Sequence, residues 1–289
     1  MASSTVKIGE NEIGDGNRCY IVAEIGLNHN GSLDLAKKLI DVAIESGCDA
    51  VKFQKRTVEV VYSTEELALL RESPFGSTNG DLKRALEFGE KEYTEIDRYC
   101  RKLGIDWMAS CWDENSVDFM EQFNPPCYKI ASASLTDDQL LQHHRNYERP
   151  IILSTGMSTE EQIQHAVGVL GSDQLILLHC TSTYPAAAEE LNLRVIETLK
   201  RTFPVPVGYS GHESSFLPTF AAVMMGANVI ERHITLDRAM WGSDQAASLE
   251  PAAFERLVKY VRELDVIRGD GIKKVYDSEL PIIKKLRRK

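Results

Sequence analysis

No apolar run in the chain approaches the roughly 18 residues needed to cross a bilayer, so no membrane partner is expected. The opening Met1-Ala-Ser-Ser-Thr-Val6 has neither the basic start nor the apolar core of a signal peptide, and a cytoplasmic protein is expected. Basic charge is scarce. Lys and Arg number 33 against 43 Asp and Glu, a net −10, which argues against a nucleic-acid partner. The basic end, Lys284-Lys-Leu-Arg-Arg-Lys289, reads as a solvated terminus. An anionic substrate would have to be held by local lysines and backbone donors, not by a global field. The six cysteines (Cys19, Cys48, Cys100, Cys111, Cys127, Cys180) include no C-x-x-C pair, and several lie in apolar runs. Buried free thiols are expected rather than disulfides or a zinc site. No G-x-G-x-x-G follows the first strand-like run, which weighs against an open dinucleotide-binding sheet.

What is present is a rhythm. The 289 residues are 43% hydrophobic and 26% charged, enough for a substantial core in one large domain or two small ones. Residues 5–18 contain two extended stretches around Gly14-Asp-Gly16 and predict a small β-hairpin. Strand-like runs follow at 19–25, 50–54, 105–111, 127–132, 150–155, 175–182, 205–210 and 228–235. Helix-like segments lie at 32–46, 92–103, 114–122, 137–146, 159–170, 192–201, 215–226 and 251–268. Runs such as Ile151-Ile-Leu153 are apolar on both faces, as parallel strands covered by helices must be. Eight strand–helix units in some 250 residues predict an α/β fold, a (β/α)8 TIM barrel, with a doubly wound open sheet as the alternative. The division is a hairpin at 1–18, a barrel at 19–270 and a tail at 271–289. Residues 55–91 interrupt the rhythm with a helical piece near 65–72 and a loop at 73–80, and predict a lid over the barrel mouth.

The last strand-like run, Asn228-Val-Ile-Glu-Arg-His-Ile-Thr235, places Glu231 and His233 on one face by alternation. The run before it, Pro206-Val-Gly-Tyr-Ser-Gly-His212, also ends in histidine. Side by side, two imidazoles and a carboxylate suit a divalent metal, Mn²⁺ or Mg²⁺, with positions left for substrate; each histidine alone reads more readily as a hydrogen-bonded core residue. The other strand ends supply Glu24, then Lys52 and Gln54, Ser110, Lys129 and Ser132, Ser154, Ser182 and Tyr184, and Ser210, with Asp244 in the loop beyond the last strand. Lys52 and Lys129 sit inside apolar runs, where burial without anionic partners is costly. Ringed by serines, they suggest a phosphate and carboxylate pocket.

These motifs carry a resemblance. Ile21-Val-Ala-Glu-Ile-Gly-Leu-Asn-His-Asn-Gly-Ser32, Val51-Lys-Phe-Gln54, Tyr128-Lys-Ile-Ala-Ser132, Ile152-Leu-Ser-Thr-Gly-Met157, His179-Cys-Thr-Ser-Thr-Tyr-Pro185 and Ile230-Glu-Arg-His-Ile-Thr235 resemble the N-acetylneuraminate (sialic acid) synthase family over about residues 19–280. The resemblance implies condensation of phosphoenolpyruvate with an aldose to a 3-deoxy-2-ulosonic acid and phosphate. It implies metal on His212 and His233, and phosphoenolpyruvate on Lys52, Lys129, Ser110, Ser132, Ser154, Ser182 and Ser210. It places the aldose on Gln54, Tyr184 and Asp244, with Glu24 between the substrates. Lys129, Glu24 and Glu231 are the catalytic candidates. A homodimer is implied as well. Family members usually carry a small C-terminal antifreeze-like domain, expected to be absent from this chain. Ala131-Ser-Ala-Ser134, Ser182 and Trp241-Gly-Ser-Asp-Gln-Ala-Ala-Ser248 depart from the family pattern, so the aldose, N-acetylmannosamine or a related sugar, is expected to be different or less certain. Two rivals stand beside this reading: a Schiff-base pyruvyl aldolase using Lys129 or Lys52, and a non-catalytic sugar-binding relative.

Overall fold

A computed structural model describes residues 5–288. Residues 1–4 of the opening Met1–Val6 stretch and Lys289 of the basic end lie outside the described residues.

The chain begins with two short antiparallel strands, β1 (Val6–Ile8) and β2 (Asn11–Ile13). Ile8 pairs with Asn11, so the hairpin turns at Gly9-Glu10 and not at Gly14-Asp-Gly16, which follows the second strand. The reason is conformational. Gly9 takes a left-handed φ of +55°, and a side chain there would press into the Asp106 carboxylate at 2.8 Å.

The barrel follows in the order β3 (Tyr20–Gly26), α1 (Leu33–Ser46), β4 (Ala50–Lys55), α2 (Val58–Val61), α3 (Thr64–Ala68), β5 (Leu70–Ser73), β6 (Gly76–Thr78), α4 (Asn79–Leu86), α5 (Glu90–Leu103) and β7 (Asp106–Cys111). Then come α6 (Glu114–Glu121), β8 (Tyr128–Ile130), α7 (Asp138–Arg145), β9 (Ile151–Ser154), α8 (Glu160–Leu170) and β10 (Leu175–Cys180). The chain ends with α9 (Val195–Thr202), β11 (Val207–Gly211), α10 (Leu217–Met224), β12 (Val229–His233), α11 (Pro251–Ile267) and an exposed α12 (Leu280–Leu286). Strands β3, β4 and β7 to β12 are parallel and close on themselves. The (β/α)8 expectation holds, because strands buried on both faces need helices outside and side chains inside. Among the described residues no helix is long and apolar enough to cross a membrane, and all six cysteines are free thiols.

The hairpin positions the site by closing the opposite end. Val6, Ile8 and Ile13 pack with the inner layer of the barrel, including Tyr20, Val22, Met108, Ile176 and Val229. Among the described residues, the cavity therefore opens where the strands end.

The stretch at 55–91 is more ordered than expected. Its predicted loop at 73–80 is the β5–β6 hairpin and the start of α4, which Thr78 and Asp81 cap reciprocally at 3.1 and 3.0 Å. Pro74 and Phe75 form the hairpin turn, where Ser73 Oγ donates to Gly76 O and accepts from Phe75 N.

Candidate active site

Alternation along each strand sends every second side chain inward, and at the C-terminal ends those side chains meet. They surround a cavity of about 240 Å³ lined by Glu24, Lys52, Gln54, Ser110, Lys129, Ser132, Ser154, Ser182, Tyr184, Ser210, His212, Glu231 and His233. Asp244 is the exception. It lines an adjacent recess of about 170 Å³ with Asn28, Asn30, Arg71, Lys83 and Trp241, between the 55–91 segment and the loop after β12. The connection to the main cavity is electrostatic: burial raises the Tyr184 phenol pKa, and the Asp244 charge raises it further.

At the cavity floor two ammonium groups alternate with two carboxylates. Lys52 Nζ lies 2.8 Å from Glu24 Oε2 and 3.7 Å from Glu231 Oε1. Lys129 Nζ lies 3.7 Å from the same Glu231 oxygen. Lys52 donates to Ser110 Oγ at 3.0 Å, Lys129 to Ser154 Oγ at 2.7 Å, and Ser210 Oγ to Glu231 Oε1 at 3.1 Å. The cost of burying the lysines is thus offset by the chain's own acids. Burial alone would depress the Lys52 ammonium, but Glu231 and Glu24 hold its pKa above the ordinary value. Burial wins at Lys129, whose pKa falls despite Glu231. Burial would raise Glu231, yet Lys129 and Lys52 hold it down at about 2. Glu231 is therefore a buried anion with one carboxylate oxygen, Oε2, lacking a hydrogen-bond partner.

A second wall is built by close approach. A Cβ on Gly156 would fall 2.2 Å from Ser182 Oγ and 2.8 Å from Ser132 Oγ. The Gly156 amide donates to Ser132 Oγ at 3.0 Å.

His212 and His233 stand on adjacent strand ends with ring centroids 5.6 Å apart. His212 Nδ1 is held by the Thr181 carbonyl at 2.7 Å, and Tyr184 Oη lies 3.1 Å from its Nε2. Burial, then the neighbouring His233, depress the His212 pKa to about 3, so the ring is neutral. His233 Nδ1 is buried without a partner. Two imidazoles, the neutral His212 oriented through its far nitrogen, form the donor pair that a borderline divalent cation takes. Glu231 does not join them: its carboxylate faces the lysines, because two ammonium groups attract it more strongly. Among the described residues no group of three or more His, Cys, Asp or Glu is arranged around one metal position. A cation here would complete its shell with water and substrate oxygens.

Sequence reasoning missed Trp112, Met157 and Cys180, which also line the cavity. Strand period signals two of them. Cys180 continues the inward series Ile176, Leu178, and Trp112 continues Met108, Ser110.

Comparison with known proteins places the chain in a family. Residues 39–273 match the NeuB family. The chain is 40% identical to the N,N'-diacetyllegionaminic acid synthase of Legionella pneumophila over 285 residues, 95% of this chain and 80% of that protein. It is 39% identical to the N-acetylneuraminate-9-phosphate synthase of Homo sapiens, over 95% of this chain and 78% of that one. The crystal structure of a sialic acid synthetase from Leptospira borgpetersenii serovar Hardjo-bovis, in complex with citrate, superposes with a TM-score of 0.86 at 31% identity, covering 99% of both chains.

Proposed function

The chain belongs to the NeuB family and is an enzyme of the sialic-acid synthase type, and from that premise we propose that it condenses phosphoenolpyruvate with an N-acylated aldose to give a nonulosonic acid and phosphate. The observation that carries the reading is the Lys52–Glu231–Lys129 arrangement, with both nitrogens 3.7 Å from one carboxylate oxygen, beside the paired imidazoles of His212 and His233. A substrate with a phosphate and a carboxylate matches two ammonium groups and the hydroxyls of Ser110, Ser132, Ser154, Ser182 and Ser210.

In this reading Lys52 and Lys129 hold the phosphate and carboxylate and stabilise charge as it develops. Gln54 and Tyr184 orient the aldose, and Asp244 reaches its distal end from the neighbouring recess. Holding the two substrates together supplies much of the acceleration. Carbon 3 of phosphoenolpyruvate bonds to the aldehyde carbon, water adds at carbon 2, and phosphate leaves with carbon–oxygen cleavage. Glu24 and Glu231 position that water or take its proton. His212 and His233 would hold a divalent cation, Mn²⁺ or Mg²⁺, which when bound supplies Lewis-acid polarisation of the aldehyde oxygen. A homodimer is part of the proposal and is measured by light scattering.

The test is phosphate release from phosphoenolpyruvate across a panel of aldoses, with and without chelator. Release that requires an N-acylated hexosamine, stops with chelator and returns with Mn²⁺ or Mg²⁺ supports the proposal. Tight phosphoenolpyruvate binding without turnover on any aldose contradicts it. Preference for N-acetylmannosamine over related acceptors would contradict only the expectation of an altered aldose. The depressed amine of Lys129 favours a second reading, Schiff-base aldol chemistry on a pyruvyl substrate. Borohydride trapping of pyruvate on Lys129 would support that rival.

A further inference from the structure

Behind the cavity wall, and outside the cavity itself, lies a buried guanidinium that the proposed reaction does not use. Arg56 follows β4 and is 5% exposed. Its guanidinium carbon lies 4.5 Å from the ring centroid of Trp112. One arm, Nη1, donates to Glu87 Oε1 at 3.4 Å, and the Arg56 backbone amide donates to Glu87 Oε2 at 3.1 Å. The other arm, Nη2, donates to the side-chain oxygen of Gln54. Gln54 in turn donates through Nε2 to Glu24 Oε1 at 3.2 Å. Glu24 pairs with Lys52 at 2.8 Å. Glu87 is the residue on which α4, the last helix of the lid, ends. A continuous polar chain therefore runs from the end of the lid, through Arg56, to the reaction centre.

We propose that Arg56 is a positioning residue for the aldose side, locking the Gln54 amide and tying its orientation to the seating of the lid through Glu87. Guanidinium has donors only, and a carboxylate has acceptors only. The Gln54 oxygen must then face Arg56 and its NH₂ must face Glu24, because the reversed amide sets donor against donor and acceptor against acceptor. With Arg56 removed, nothing else among these contacts holds the oxygen, and the amide is free to turn. Glu87 keeps the arginine in place, since a buried guanidinium without a counterion is costly. Lys55 adds to the joint, 3.6 Å from Glu87 and bonded to the Phe88 carbonyl at 3.2 Å. The inference rests on the proposed function in one respect, that Gln54 faces the aldose.

The test compares wild type with Arg56→Lys, which keeps the charge and loses the fork, with Glu87→Gln, and with the pair Arg56→Met/Glu87→Leu. The paired change removes both charges together, so no uncompensated ion remains if a single change fails to fold. Melting temperature and separate KM values for phosphoenolpyruvate and aldose are read for each. The expected result is an aldose KM raised about tenfold or more, the scale of one charge-assisted hydrogen bond, with phosphoenolpyruvate KM within about twofold and Arg56→Lys melting close to wild type. Unchanged aldose KM in active variants overturns the inference and leaves the proposed function standing. So does a parallel rise in both KM values with a lowered melting temperature, the mark of a merely structural residue. Wild type that releases no phosphate in response to any aldose overturns the proposed function, and the inference with it.

Discussion

His144 is a residue whose chemistry is separable from catalysis. It lies on α7, fully buried, with Nδ1 bonded to the Leu140 carbonyl at 2.8 Å and Nε2 unpartnered. Burial depresses its pKa to about 4, with His143 lowering it further and the Leu140 bond and Asp137 opposing. The unfolded chain takes up this proton near pH 6.5 and the folded chain does not. Its contribution to stability is therefore complete above about pH 6.5 and is lost, at about 1.4 kcal/mol per pH unit, as pH falls towards 4. His144→Phe keeps the edge contact with Tyr128 and removes the titration. Urea unfolding across that range should show a pH slope flatter by about that amount than wild type, and an unchanged slope would show that His144 does not resist protonation in the fold. His29, also depressed to about 3 by burial, keeps the remaining slope from vanishing. At the cavity wall proposed to hold phosphoenolpyruvate, Gly156→Ala would set a methyl against Ser182 and Ser132. Phosphoenolpyruvate KM should rise about tenfold or more with little loss of melting temperature, read by steady-state kinetics and calorimetry. That Lys52, Lys129 and the serines would meet at one cavity was legible from their place at strand ends. That Glu24 and Glu231 would neutralise the lysines was not, because which face of the ring each acid meets depends on closure between β12 and β3.

At the scale of elements, helix ends were legible where capping chemistry is local. Ser32 caps α1 and Gly47 ends it in a left-handed turn. The segment at 55–91 was legible as an excursion but not in its detail. Its helices are only four to eight residues long, and its hairpin turns on Pro74 and Phe75, which carry no period. It is held by the His29–Phe88 stack at 4.0 Å and the Phe75–Trp241 contact at 5.7 Å. Gly31 is the point of closest approach. Its φ is +71°, and a Cβ would lie 2.3 Å from the Ala85 carbonyl oxygen of α4. Gly31→Ala should lift that helix at a cost of about 1–3 kcal/mol. Hydrogen exchange is expected to quicken across residues 58–86 while β9 and β10 stay protected. Uniform loosening of the whole chain would show that this segment is not an independent lid.

Over the whole molecule, the barrel was readable because parallel strands buried on both faces repeat with helices between them. The role of the hairpin as a plug was not readable, since Val6, Ile8 and Ile13 look alike whether they cover a sheet edge or fill a barrel end. Asp244 was placed with the aldose from motif position, and the fold sets it in the neighbouring recess, because its loop passes over the mouth instead of rising from a strand. The central claim is a condensation in which the enolpyruvyl carbon–oxygen bond breaks. Phosphoenolpyruvate labelled with ¹⁸O at the bridging position, incubated with the enzyme, Mn²⁺ and an accepted aldose, tests it most directly. Mass spectrometry is expected to find the label in inorganic phosphate and unlabelled oxygen from water at carbon 2 of the product. Label retained on the organic product, or phosphate released at the same rate without any aldose, would contradict it.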